Sequence, residues 1–226
     1  MALTEASKKY WAPIQKVIDY ISTEVIKPDD KVLEIGPGHA PFKRADVSVD
    51  FVDVPGVKNF VKIDAANGLP FEDKKFDFVY ARHVVEDMWH PFPLIKEMSR
   101  VGKAGYIEVP SPFAELGRGV DGSSPPYRGY HHHRWIGWAM GKELRLIGKY
   151  PLVEYIPVVN DRVDEALKSD RYWNSYYLWE GEAQVHHYQS PANFNIPRDY
   201  ATILNEAMER SKEMTDIFFS KIGGLK

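Results

Sequence analysis

The stretch Val32-Leu-Glu-Ile-Gly-Pro-Gly-His-Ala-Pro41 limits the fold more than any other part of the chain. Lys31 to Ile35 reads as a short strand that runs straight into Gly36-Pro37-Gly38. A strand ending in Gly-x-Gly turns tightly and lets a ligand approach the backbone with no Cβ in the way. Such a turn calls for an acidic residue at the end of the next strand, to hold ribose hydroxyls. Asp50 stands there, closing Val47-Ser-Val-Asp50. The pattern departs from the dinucleotide G-x-G-x-x-G/A fingerprint in two ways. Pro41 sits where a Gly or Ala is wanted, and Asp50 follows Gly36 by 14 positions, where the fingerprint places its acid about 20 residues on. The first crossover should therefore shrink to about one turn, near Pro41 to Arg44.

Further short strands follow at Phe60-Val-Lys-Ile63, Phe76-Asp-Phe-Val-Tyr80 and Gly105-Tyr-Ile-Glu-Val109. Leu94, Ile95 and Met98 fit a helix opened by Pro93 between the last two. Strands alternating with helices predict a parallel sheet with crossovers. Residues 5–26 read as an amphipathic helix, with Trp11 a core or lid aromatic. Arg134 to Tyr150 reads as a hairpin around Gly141-Lys142, and Tyr176–Trp179 with Glu182–Tyr188 as a second around Glu180-Gly181. Residues 198–222 close the chain as a helix stopped by Gly223-Gly224. The expectation is one domain over 1–226: an N-terminal helix to 27, a cofactor-binding core over 28–112, a pocket loop over 113–135, and C-terminal hairpins and helix over 136–226.

The motifs together resemble a known family. They are Val32 to Gly38, Ala45 to Asp50, Asp64-Ala-Ala-Asn-Gly-Leu-Pro-Phe71, Phe76 to Glu86 and Gly105-Tyr-Ile-Glu-Val-Pro-Ser-Pro112, in that order. The set is similar to class I S-adenosylmethionine-dependent methyltransferases of the small, stand-alone methyltransferase-domain type. The resemblance implies an α/β fold: a Rossmann-like, mostly parallel seven-stranded sheet with flanking helices and an antiparallel last strand. The second hairpin would supply strands six and seven. S-adenosyl-L-methionine is the implied cofactor. Glu34, Gly36, Pro37 and Gly38 match the segment that contacts its methionine and ribose part; Ala40 stands for the family's third glycine. Asp50, with Phe51 beside it, matches the ribose-binding acid, and Asp53 is a fallback. Asp64 and Ala65 match the pair that reads adenine. Ala81, Arg82 and His83 match the segment facing the sulfonium and the acceptor. Many relatives carry a second histidine after Glu86, where this chain has Asp87.

Methyl transfer from a sulfonium needs alignment and water exclusion, and an oxygen or nitrogen acceptor can also need a base. His83 leads as that base, with Glu86 and His133 as further catalytic candidates and Glu108 nearby. Arg118, Tyr127, Arg128, Tyr130 and Arg134 would suit an acidic or sugar-like acceptor. In an extended His131-His132-His133, only His131 and His133 would share a face. Two ligands need a third from elsewhere, with His186 and His187 as examples, and no metal is assigned. Asp77 reads as a turn or cap residue.

Composition removes other classes. The chain has 226 residues, a net charge of −3 and no cysteine. Disulfide scaffolds, zinc ribbons, iron–sulfur clusters and thiol nucleophiles are excluded, cytosine C5 methylation of the usual kind among them. The charge disfavours a nucleic-acid partner. Ser124-Pro-Pro-Tyr127 imitates an amino-methyltransferase motif but follows the wrong strand. No apolar run approaches a membrane span, and a cytoplasmic location is expected. The reading is methyl transfer to an O or N atom of a small molecule or glycan precursor. The competing classes are a non-catalytic cofactor-binding protein and an NAD-dependent oxidoreductase or epimerase.

Overall fold

The computed structural model describes residues 12–157 and 160–223, with only the backbone of Ile196. Trp11 and the first part of the expected N-terminal helix lie outside the described residues. The described helix α1 spans Gln15–Tyr20 and continues as a π turn over Ile21–Val25. A six-stranded sheet follows, in the order β3-β2-β1-β4-β5-β8. Its strands are β1 (Val32–Ile35), β2 (Val47–Asp50), β3 (Phe60–Lys62), β4 (Phe76–Arg82), β5 (Gly102–Pro110) and β8 (Asn174–Glu180). The first five are parallel and β8 runs antiparallel to β5, pairing Ile107 with Tyr177. Helix α2 (Pro91–Val101) links β4 to β5 and starts two residues before Pro93. Between β1 and β2 the chain makes no helix, only a turn closed by Ala45 N–H on Phe42 C=O at 2.9 Å.

The sheet has six strands rather than seven because the second hairpin does not form. Glu180 and Gly181 end β8, but β9 (Gln184–His187) leaves for a separate sheet with β6 (Trp135–Met140) and β7 (Glu143–Gly148). There β6 and β7 form the expected hairpin, and β9 lies parallel to β7 with Leu144 opposite Val185. Burial decides this: Leu144 and Leu146 of β7 and Ala139 of β6 pack on the main-sheet core with Val109, Tyr177 and Trp179, and Val185 joins them. The small sheet thus covers one face of the large one, beside α2.

The other face is covered by α1 and the end of the long helix α5 (Ala201–Gly223), through Val17, Ile21, Tyr80, Tyr106, Phe218 and Ile222. Phe218 stacks on Tyr176 at 4.9 Å between centroids. The first half of α5 and Tyr200 just before it pack on the small sheet instead, where Tyr200, Leu204 and Met208 meet Ile136 and Trp138. One helix therefore spans both sheets. Helices α3 (Pro112–Leu116) and α4 (Asn160–Leu167) complete this second core through Phe113, Leu116, Val163 and Ala166. The expected pocket loop so begins as a helix, capped by Ser111. Among the described residues, no helix is long and apolar enough to cross a membrane.

Candidate functional site

The strand order reverses between β1 and β4, and ligands of open parallel sheets bind at the carboxyl edge of such a switch point. The candidate cofactor residues fall along that edge. Gly36 and Gly38 both have positive φ, +70° and +46°, leaving β1 by a turn that other residues resist. Gly36 N–H bonds Val49 C=O at 2.9 Å, which ties the turn to β2 just before Asp50. Pro37 is buried, whereas Gly38 is exposed, and among the described residues beyond its chain neighbours a Cβ there would meet only Gly36 O, at 4.0 Å. The backbone at Gly38 is thus open to a ligand.

Glu34 keeps its carboxylate within the β1–β2 connection. It is buried, accepting from Phe42 N–H at 2.7 Å and Ser48 Oγ at 2.8 Å. Burial raises its carboxyl above the ordinary range. Its work is to hold the short β1–β2 connection, helped by Phe42, which stacks on Tyr80 at 4.1 Å. Sequence reasoning missed Phe42, although an aromatic in the middle of a compressed crossover was the available signal.

Asp50 takes Val52 N–H at 3.1 Å and is half-buried, with Phe51 70% exposed beside it. Ile63 N–H bonds Asp50 C=O at 2.8 Å, so Asp64 follows on the neighbouring strand. Asp64 is exposed and caps the single helical turn Ala65–Asn67, accepting from Ala66 N–H at 3.0 Å and Asn67 Nδ2 at 2.9 Å. Asp53 pairs with Lys62 across the surface. Glycines, an acid with an exposed aromatic, and a second acid thus line one edge, and this set fits an adenosine-bearing cofactor.

At the end of β4, Ala81 is buried and Arg82 turns inward to Glu108, Nε to Oε1 at 3.0 Å. His83 has φ +54° and a side chain only 3% exposed, set between two acids. Its Nδ1 lies 3.1 Å from Glu86 Oε1 and its Nε2 3.7 Å from Glu108 Oε1. Burial opposes a charge on Glu108, but Arg82 and then His83 outweigh it and hold the carboxyl at about 2. Tyr106 donates its hydroxyl to Glu108 Oε2 at 2.5 Å. His83, Glu86 and Glu108 are therefore one buried network at the sheet edge.

His133 belongs to a neighbouring network. Its side chain is fully buried, with Nδ1 2.5 Å from Glu115 Oε1, and Lys149 Nζ meets Glu115 Oε2 at 2.6 Å. Burial works against the charge on Glu115, yet Lys149 and His133 hold it at about 2. Burial disfavours His133's charge, but Glu115 outweighs it and raises the imidazole's pKa. The two networks meet where Arg134 N–H bonds Glu86 C=O at 2.7 Å. Asp87 lies between them; burial and Glu86 push it up to about 6. Burial, with His133, brings His132 down to about 4.

The loop's cations are mostly spent inside the fold. Arg128 is 4% exposed and donates to Leu116 C=O at 2.6 Å and Asn160 Oδ1 at 3.0 Å. Arg118 holds Glu154 and Pro126 C=O. Tyr130 is buried with Val120 and Trp173. The expectation that Arg118, Arg128 and Tyr130 meet an acceptor is therefore corrected: guanidinium forks here saturate carbonyls that an irregular segment leaves open. Arg134 differs, lying 4.4 Å over the ring of Trp89, which is 72% exposed. Asp77 is a clamp and not a cap, joining Lys31 N–H and Lys103 Nζ.

Residues 33–107 match the family model described as a methyltransferase domain. The resemblance drawn from the motifs is borne out over that segment as a methyltransferase domain. No curated protein matches the chain. A solved S-adenosylmethionine-dependent methyltransferase of Archaeoglobus fulgidus is 24% identical, covering 48% of this chain and 58% of its own, with a TM-score of 0.39. One from Thermotoga maritima is 19% identical, covering 42% and 52%, with a TM-score of 0.33. One from Mesorhizobium loti is 12% identical, covering 44% and 57%, with a TM-score of 0.35. The chain spans about half the length of these structures.

Proposed function

We propose that the chain, whose residues 33–107 form a methyltransferase domain of the class I S-adenosylmethionine-dependent kind, moves a methyl group to an oxygen or nitrogen of a small molecule or glycan precursor. The observation that carries this is the convergence at one switch point. The Gly36–Gly38 turn, Asp50 and Asp64 stand on one side, and a histidine held between two acids stands on the other.

Bound there, S-adenosylmethionine supplies a methyl group already activated by its sulfonium. The chain's own residues do the rest. The open backbone at Gly36 to Gly38 holds the methionine and ribose part, with Asp50 accepting from the ribose hydroxyls and Phe51 flanking it. Asp64 and Ala65 read the adenine. Ala81 and the backbone of Arg82 line the reacting end. Arg82's side chain fixes Glu108, which with Glu86 sets the plane of the His83 ring. His83 then accepts the acceptor's proton, an effect worth about 10²–10⁴ in rate. Alignment within the cleft supplies roughly 7–11 kcal/mol more. His133, with its Nδ1 on Glu115, stiffens the wall beside Glu86. Trp89 and Arg134 form the exposed rim that an acceptor meets first.

A thermal-shift panel tests the reading. S-adenosylmethionine and its demethylated product should raise the melting temperature, and NAD and NADP should not. A rise with NAD alone would overturn it in favour of an oxidoreductase.

A further inference from the structure

We infer that Asp87, His132 and His133 form a binding site for one divalent first-row transition-metal ion. The three offer ligand atoms that lie within 4.8 Å of one another. Asp87 Oδ1 is 3.7 Å from Nε2 of His132 and 3.7 Å from Nε2 of His133. Those separations are too long for hydrogen bonds. They come close to the spacing of two ligands sharing one ion, about 3.4 Å in a tetrahedral site with bonds of about 2.1 Å. Two imidazoles and a carboxylate are a donor set that suits zinc, iron, cobalt or nickel.

The support behind His133 is what separates this trio from a chance surface cluster. A ligating histidine typically gives its other ring nitrogen to a carboxylate, which fixes the tautomer and aims the ligand atom. Here Nδ1 of His133 meets Glu115 at 2.5 Å, and Glu115 is itself buried and held by Lys149 at 2.6 Å. Gly129 is shaped around that pair: with φ +61°, a Cβ there would lie 2.5 Å from Glu115 Oε2 and 2.6 Å from Lys149 Nζ. The ring is thus locked with Nε2 toward Asp87. Asp87 and His132 keep side chains 43% and 53% exposed, so an ion has an entry path and open positions toward solvent. Those positions adjoin the Trp89–Arg134 rim and would take water or an acceptor oxygen.

Adjacent histidines can share the ion because the chain turns at His131 and His132 before β6 begins. His133 N–H bonds back to Tyr130 C=O at 3.3 Å. The alternation of an extended segment, which paired His131 with His133, does not apply. His131 instead meets Asp121, Nδ1 to Oδ2 at 3.1 Å. His187 packs on Phe92 and Trp135.

The test is Zn²⁺ titration of the chelator-treated full chain by calorimetry, with Co²⁺ absorption as a second readout. It stands apart from methyl transfer, since the probe is the metal alone. The expected result is one ion per chain with micromolar or tighter affinity and ligand-field bands for Co²⁺. His132→Ala and Asp87→Asn, both at exposed positions, should each weaken binding at least tenfold. Glu115→Gln should weaken it by about 10–100-fold, and His131→Ala should leave it unchanged. No stoichiometric binding to the wild-type chain overturns the inference. So does binding that survives either ligand replacement or falls equally in His131→Ala.

Discussion

A Cβ on Gly36 would lie 2.4 Å from Cγ2 of Val84, so the turn after β1 and the segment after β4 touch at a spot only a glycine can occupy. The φ at Gly36 is +70°, unfavourable for any other residue. Gly36→Ala should therefore destabilise the fold by about 1–3 kcal/mol from overpacking and weaken S-adenosylmethionine binding. Val84→Ala in the same chain should restore the part owed to the clash and leave the part owed to φ. Melting curves and calorimetry on the two variants measure both; full rescue by Val84→Ala would show that the dihedral contributes nothing.

Asp50 and Asp64 should prove separable. Asp50→Ala removes the proposed ribose acid and should cost roughly 1–3 kcal/mol of cofactor affinity, the usual cost of stranding buried partners. Asp64→Ala should cost a similar amount of affinity and also uncap Ala65–Asn67, taking about 1 kcal/mol from stability. Asp64→Asn keeps a capping oxygen, so it should recover stability and not affinity. Unchanged calorimetric affinity in both alanine variants would remove the two acids from the site.

The elements legible in the sequence were those whose signal is local. Val32 to Gly38 is bounded by its own glycines, and β2 to β5 each carry a short apolar run that ends in a turn or an acid. The partner of a strand is not local. Val185 alternates as well for a hairpin with β8 as for the parallel pairing it makes with Leu144, and only the apolar face of β7 selects between them. Side-chain type misled in the same way at Arg128, whose guanidinium suits an acidic acceptor but is consumed by Leu116 C=O. At Glu34 the partners Phe42 and Ser48 could not be read, because they lie across a turn whose path the sequence does not state.

Glu108 and Arg82 form a pair with side chains 3% and 8% exposed. Glu108→Gln leaves the guanidinium buried beside a neutral amide, and breaking such a pair costs about 3–5 kcal/mol. The pH dependence has a definite sign. Glu108 is held at about 2 in the folded chain, against an ordinary value of 4.5. Its contribution is therefore present above pH 4.5 and is lost as pH falls from there towards 2. Wild-type stability should drop across that window more steeply than that of Glu108→Gln, as followed by denaturant unfolding at a series of pH values. Parallel acid limbs would mean that Glu108 carries no such charge.

The loop itself offers the sharpest test of where the acceptor binds. Deleting 118–130 would remove Arg128 and Tyr130, which are buried and tie the segment to Leu116 and Trp173, so a lost activity there would report lost packing. Trp89 is the better probe. It is 72% exposed, and its ring carries the Arg134 guanidinium at 4.4 Å, a cation–π contact worth about 0.5–1 kcal/mol at an exposed site. Trp89→Ala should thus leave the melting temperature within a degree or two and cofactor affinity intact. If the rim receives the acceptor, KM for that acceptor should rise about tenfold, with kcat changed far less, because the interaction removed is made equally in the ground and transition states. Arg134→Ala should do the same in smaller measure, since its backbone N–H, which holds Glu86 C=O at 2.7 Å, is untouched. Unaltered KM in both variants would place the acceptor elsewhere on the sheet edge and leave Trp89 as surface.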